Sequence, residues 1–129
     1  MPIIAAFMVP HPPMIVPEVG RGSEKQVAKT VASYEKVAGE IAALKPDTII
    51  ISSPHSVMYS DYFHLSPGSG AHGSFAEFGA PVVKFEVEYD EKLVNLIEAK
   101  AQGLHFPAGT LGEKNLALDH GTMVPLWFI

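Results

Sequence analysis

Two histidines occupy matching places in this chain: Pro10-His11 follows the apolar run Ile3 to Val9, and Pro54-His55 follows the apolar run Thr48 to Ile51. If these runs are neighbouring parallel strands, both imidazoles leave one edge of a sheet, where α/β proteins hold their ligands. A neutral imidazole binds iron, zinc, copper or nickel, and two of them with one carboxylate leave open positions on a ferrous ion for substrate and oxygen. The competing reading of a single loop histidine is a hydrogen bond to backbone. Repetition of the pattern at two strand ends favours metal ligation by His11 and His55. His120, in Asp119-His120-Gly121, is the third candidate: Asp119 can fix its tautomer or cap a following helix, and Gly121 lets the backbone approach a ligand. Taken alone, that triplet reads first as a capping turn. His64 and His105 lie beside apolar residues and read as structural, while His72 reads as a solvated member of a glycine-rich loop, within reach of a substrate.

The elements that must position these residues follow from the sequence pattern. Ile3 to Val9 has strand length and is apolar throughout, as in a strand covered on both faces. The prolines and glycines of residues 10–22 exclude helix there. Ser23 with Gln26 makes a capping box, and Val27, Val31, Tyr34, Ala38, Ile41 and Leu44 follow at helical spacing until Pro46. Asp47 to Ser53 is then a second strand, parallel to the first through a right-handed crossover. Between Ser56 and Ala80 the pattern gives a short strand at Tyr62 to Leu65, then a long loop carrying Gly68, Gly70, Gly73 and Gly79. Pro81 to Val87 alternates as a strand, Asp90 caps a helix carrying Leu93, Leu96 and Ile97, and Gly103 stops it. A further strand is expected near His105 and Phe106. The alternation of strands and helices predicts an α/β fold, a three-layer α/β/α sandwich with a mostly parallel or mixed central sheet.

At 129 residues, 47% of them apolar, the chain has the size and core content of one domain. Its net charge of −5 and its scattered lysines and arginines argue against nucleic acid or anionic lipid as a partner. The absence of cysteine excludes disulfides, thiolate zinc sites and a cysteine nucleophile, and it fits a reducing cytoplasm. The first apolar stretch has no basic residues before it and is cut by Pro10, Pro12 and Pro13, so neither a signal peptide nor a membrane span is expected. Gly20-Arg21-Gly22-Ser23 matches neither a dinucleotide fingerprint nor a P-loop and reads as a turn plus cap. No Gly-x-Ser-x-Gly elbow is present, and Ser52, Ser53 and Ser56 flank His55 without an evident base. Leu126 to Ile129 is an apolar run with nothing after it to cover it, so residues 1–129 are expected to be a single domain truncated at its C-terminus. Such a chain forms a homo-oligomer or associates with a missing C-terminal half.

Together, Val9-Pro10-His11-Pro12-Pro13, Ser53-Pro54-His55-Ser56 and Leu118-Asp119-His120-Gly121 resemble, in order and placement, the catalytic B subunit of class III extradiol ring-cleavage dioxygenases. The resemblance extends to Memo-like proteins, and it is nearest to a bacterial branch found beside Memo-like and radical-SAM proteins. It implies that His11 and His55 bind Fe(II), with zinc as the alternative, and that His120 acts near the substrate as an acid or base. It also implies a glutamate ligand from a second half of the fold, in domains roughly twice this length. The function so implied is iron-dependent opening of a catecholic ring, with a small aromatic diol and dioxygen as the partners. The alternatives are a Memo-like metal-binding or interaction domain without dioxygenase activity and, more weakly, metal-dependent hydrolysis.

Overall fold

A computed structural model describes residues 2–114 and 117–129. Helices lie against one small antiparallel and one small parallel sheet, a mixed α/β architecture that agrees with the expected α/β sandwich class. After the first histidine, in a stretch expected to hold no helix, come a 3-10 turn at Pro13–Ile15 and the single helical turn α1 (Pro17–Gly20), each begun by a proline, then a second 3-10 turn at Ser23–Val27 and the long helix α2 (Ala28–Leu44). Proline at the start of each of the first two turns supplies a preset φ where an N–H has no intrahelical partner. The expected capping box at Ser23 and Gln26 does not form. Gly22 stands at the N-cap of this 3-10 turn instead, and its N–H donates to Glu24 Oε2 at 2.7 Å. Lys45, in a left-handed conformation, ends α2 just before Pro46.

The glycine-rich segment expected to be a loop is largely strand. Residues Gly70–Phe75 form β2, which pairs antiparallel with β3 (Ala80–Glu88), His72 opposite Glu86 and Gly73 opposite Phe85. The register slips between Ser74 and Phe75, around a 3-10 turn at Ala76–Phe78. Gly79 closes that turn at φ 76°, a left-handed conformation open to glycine without strain. Glycine lowers strand propensity, which hides β2 in the sequence, but pairing of Gly70 to Ser74 with Lys84 to Glu88 overrides it. Residues Phe63–His64 form β1, at the expected place, and they pair in parallel with β4 (Ala108–Gly109). The strand expected at His105 therefore falls a few residues later, because His105 turns the chain at φ 52°. Helix α3 (Glu91–Gly103) is capped by Asp90, as expected, through Leu93 N–H at 2.9 Å. It ends on Gly103, with Leu104 as its C-cap.

Neither Ile3–Val9 nor Asp47–Ser53 belongs to a strand among the described residues, and this corrects the reading of both runs. A continuous apolar run becomes a buried strand only with a hydrogen-bonded neighbour and a cover on each face. Here Ile3 is 88% and Met8 100% exposed. The core lies elsewhere: Ile15, Val16, Phe75 and Val124 are fully buried, with Tyr34, Ala80, Val83 and Met123 around them. Phe75 meets Phe78 and Phe85 edge to face, and Tyr34 stacks on Phe128 with ring centroids 4.3 Å apart. These contacts fix the last helix, α4 (His120–Phe128), between the β2–β3 hairpin and α2. The first residue of α4 is His120.

Candidate metal centre

His11, His55 and His120 converge although they are far apart in sequence. One ring nitrogen from each lies within 4.8 Å of the others. The Nε2 atoms of His11 and His55 are 2.8 Å apart, so one of them donates to the other, and the rings meet edge on. His120 lies over His55 with ring centroids 4.0 Å apart and is 5.9 Å from His11. Phe78 closes its far side at 5.4 Å.

Each imidazole is held by an identifiable anchor. The Tyr34 hydroxyl, on α2, donates to the carbonyl of Pro10, directly before His11. Burial pushes the Tyr34 phenol up to about 12, so this donor keeps its proton across the physiological range. Ser53 Oγ accepts from the His55 amide at 3.2 Å and donates to Asp119 Oδ1 at 2.6 Å. The same carboxylate oxygen caps α4 by accepting from Thr122 N–H at 3.1 Å, as expected of the Asp-His-Gly triplet. Gly121 is buried against this junction: a Cβ there would collide with Ser53 Oγ and stand 2.9 Å from Asp119 Oδ1 and 3.0 Å from His55. His120 has its pKa lowered, first by burial and then by repulsion from a charged His55, while Asp119 pulls the other way. Its ring is therefore neutral near pH 7, able to accept a proton or to offer a lone pair.

Three imidazoles, which ligate through a ring-nitrogen lone pair, fit a borderline transition ion such as ferrous iron or zinc. Ring nitrogens sharing one ion at about 2.1 Å stand roughly 3.0–3.4 Å apart, so the His11 and His55 nitrogens, at 2.8 Å, need to part only slightly to share one. Among the described residues no carboxylate joins the cluster. Beside it runs a groove of about 940 Å³, bordered by His55, Asp119 and His120 on one side and by His72, Phe78 and Lys84 from the hairpin on the other.

The other singled-out residues lie outside the cluster. His72 is exposed on β2 rather than in a loop, and it does line the groove. His64 Nε2 contacts the Glu113 carbonyl at 2.7 Å, and His105 sits in the turn after α3. Arg21 donates to the Gly79 carbonyl at 2.9 Å and straps the hairpin turn. Sequence reasoning missed the roles of Ser53, Tyr34 and Phe78. Their signal is tertiary: each acts on a residue at least 24 positions away.

Residues 5–129 match the model of the family described as the catalytic LigB subunit of aromatic ring-opening dioxygenase. The chain is also 42% identical over 130 residues to Protein CA_C1420 of Clostridium acetobutylicum, an alignment covering 95% of this chain and 28% of that protein. The chain thus spans under a third of the length of this curated relative. No solved structure matches it. No helix among the described residues is long and apolar enough to cross a membrane.

Proposed function

Because the chain belongs to the family of the catalytic LigB subunit of aromatic ring-opening dioxygenase, we propose that it takes part in metal-dependent extradiol opening of a catecholic ring. In this reading His11 and His55 hold the ion, Fe(II) in preference to zinc, and His120 handles substrate protons. The observation that carries it is the convergence of the three imidazoles, two of which, His55 and His120, line one groove. When bound, a ferrous ion supplies a binding position for the diol and for dioxygen and passes electrons between them. His11 and His55 contribute lone pairs from Nε2. Their mutual hydrogen bond must then break, and the ring that carried hydrogen on Nε2 must move it to Nδ1. His120, neutral at working pH, accepts the proton of a diol hydroxyl and later returns it to the opened product. Phe78 and Met123 offer apolar contact to a ring placed in the groove and keep water from part of it.

The test is oxygen consumption by the full chain with a panel of catechols, with and without added Fe(II). Iron-dependent uptake with a coloured ring-opened product, abolished in His55→Ala, is the expected result. One equivalent of tightly bound iron without product from any diol would count against ring opening and leave metal binding alone.

A further inference from the structure

We propose that Ser53 is a positioning residue whose hydroxyl sets the spacing between His55 and His120. The inference rests on the reading of His55 as a metal ligand. Segments 53–55 and 119–121 come from distant parts of the chain, and no backbone hydrogen bond joins them among the described residues. Among the described residues, the hydrogen bonds that link them run through one side chain. Ser53 Oγ is at once the acceptor for the His55 amide and the donor to Asp119 Oδ1, the oxygen that also caps the helix beginning at His120. A bond from a hydroxyl to a carboxylate is among the stronger of protein hydrogen bonds, and this one is partly buried. Gly121 supplies independent support, since the space its missing side chain leaves is filled by Ser53 Oγ, Asp119 Oδ1 and the His55 ring. The junction therefore has a built shape, with the hydroxyl at its centre. Ser53 touches neither substrate nor ion in this account and acts only through the placement of His55.

The experiment uses Co(II) as the probe, measured by calorimetric titration and by its visible absorption on the full chain. Four variants are compared: Ser53→Ala, Ser53→Thr, Ser53→Val and, as a control hydroxyl deletion, Ser33→Ala. Ser33 donates to the Lys29 carbonyl within α2. Threonine and valine have the same shape and differ by the hydroxyl, so their comparison survives even if Ser53→Ala fails to fold. Loss of the latch is expected to weaken Co(II) binding at least tenfold in Ser53→Val relative to Ser53→Thr and to alter the visible spectrum of the bound ion, the scale seen when a partner of a metal-ligating histidine is removed. Ser33→Ala is expected to bind as the unsubstituted chain does. Equal affinities in the threonine and valine variants, with both folded by circular dichroism, would overturn the positioning role while leaving the metal reading intact. Failure of the unsubstituted chain to bind Co(II) would overturn the metal reading and the latch with it.

Discussion

At the residue scale the site depends on the protonation states of its imidazoles. His11→Ala and His55→Ala are each expected to abolish specific divalent-metal binding, since no other donor among the described residues replaces the lost nitrogen. Unchanged Fe(II) stoichiometry and affinity in both would make these histidines structural. His120→Ala is expected to leave the metal bound and to lower single-turnover rate by about a hundredfold, the scale of a lost acid or base. Iron content and rate must be read on the same sample: loss of iron identifies His120 as a ligand instead. The lowered pKa of His120 also bears on stability. The folded chain takes up this proton less readily than the unfolded chain, whose histidine titrates near 6.5. The His120 contribution is therefore full above about pH 6.5 and is lost as pH falls through the folded value. His120→Gln should flatten that part of the thermal-midpoint profile.

At the scale of elements, the hairpin and α4 carry the site. Phe75 ends β2 fully buried and packs on Phe78, which closes His120. Phe75→Ala should cost about 3–5 kcal/mol in urea unfolding, with the loss concentrated where the hairpin meets α4. A cost below about 1 kcal/mol would show that the hairpin does not brace the helix. Asp90 offers a second handle on element stability. The Thr48 hydroxyl and then the Leu93 amide hold its carboxyl below the usual range, tying the run before His55 to the start of α3. Its folded value lies below its unfolded one near 3.9, so its contribution is present above that pH and lost as the carboxylate protonates on acidification. Asp90→Asn should shrink the fall in thermal midpoint below pH 4.

At the scale of the whole molecule, apolar surface is the dominant feature. A folded monomer of 13.9 kDa has an accessible surface of about 6,700 Å² by the usual size scaling, whereas this chain exposes 8950 Å². Large apolar side chains lie on this surface: Ile3, Met8, Ile50, Val82 and Leu111 are each more than two-thirds exposed. Exposed apolar side chains, where they adjoin, favour association. Sedimentation velocity on the isolated chain should show concentration-dependent self-association that detergent below its micelle concentration relieves. A monomer at all concentrations that binds no hydrophobic dye would contradict the expectation.

Local signals were enough for much of this molecule. The helical spacing from Val27 to Leu44, the caps at Asp90 and Asp119, and the alternation of Pro81 to Val87 each depend on neighbours within a turn or two, and each is found near its expected place, with Val27 itself in the 3-10 turn before α2. The Pro-His repeat and the Asp-His-Gly triplet likewise marked all three histidines that converge. Tertiary structure decided the rest. The same apolar pattern suits a covered strand or an exposed run, and only pairing partners distinguish them, so the pattern of Ile3–Val9 and Asp47–Ser53 predicts strands that the structure does not form. The glycines of β2 lowered its local propensity, yet the cross-strand bonds to β3 outweigh that cost. The Ser53–Asp119 bond and the Tyr34 anchor span 66 and 24 residues, and a hydrogen bond between groups so far apart leaves no trace in local pattern because its geometry exists only once the chain has folded.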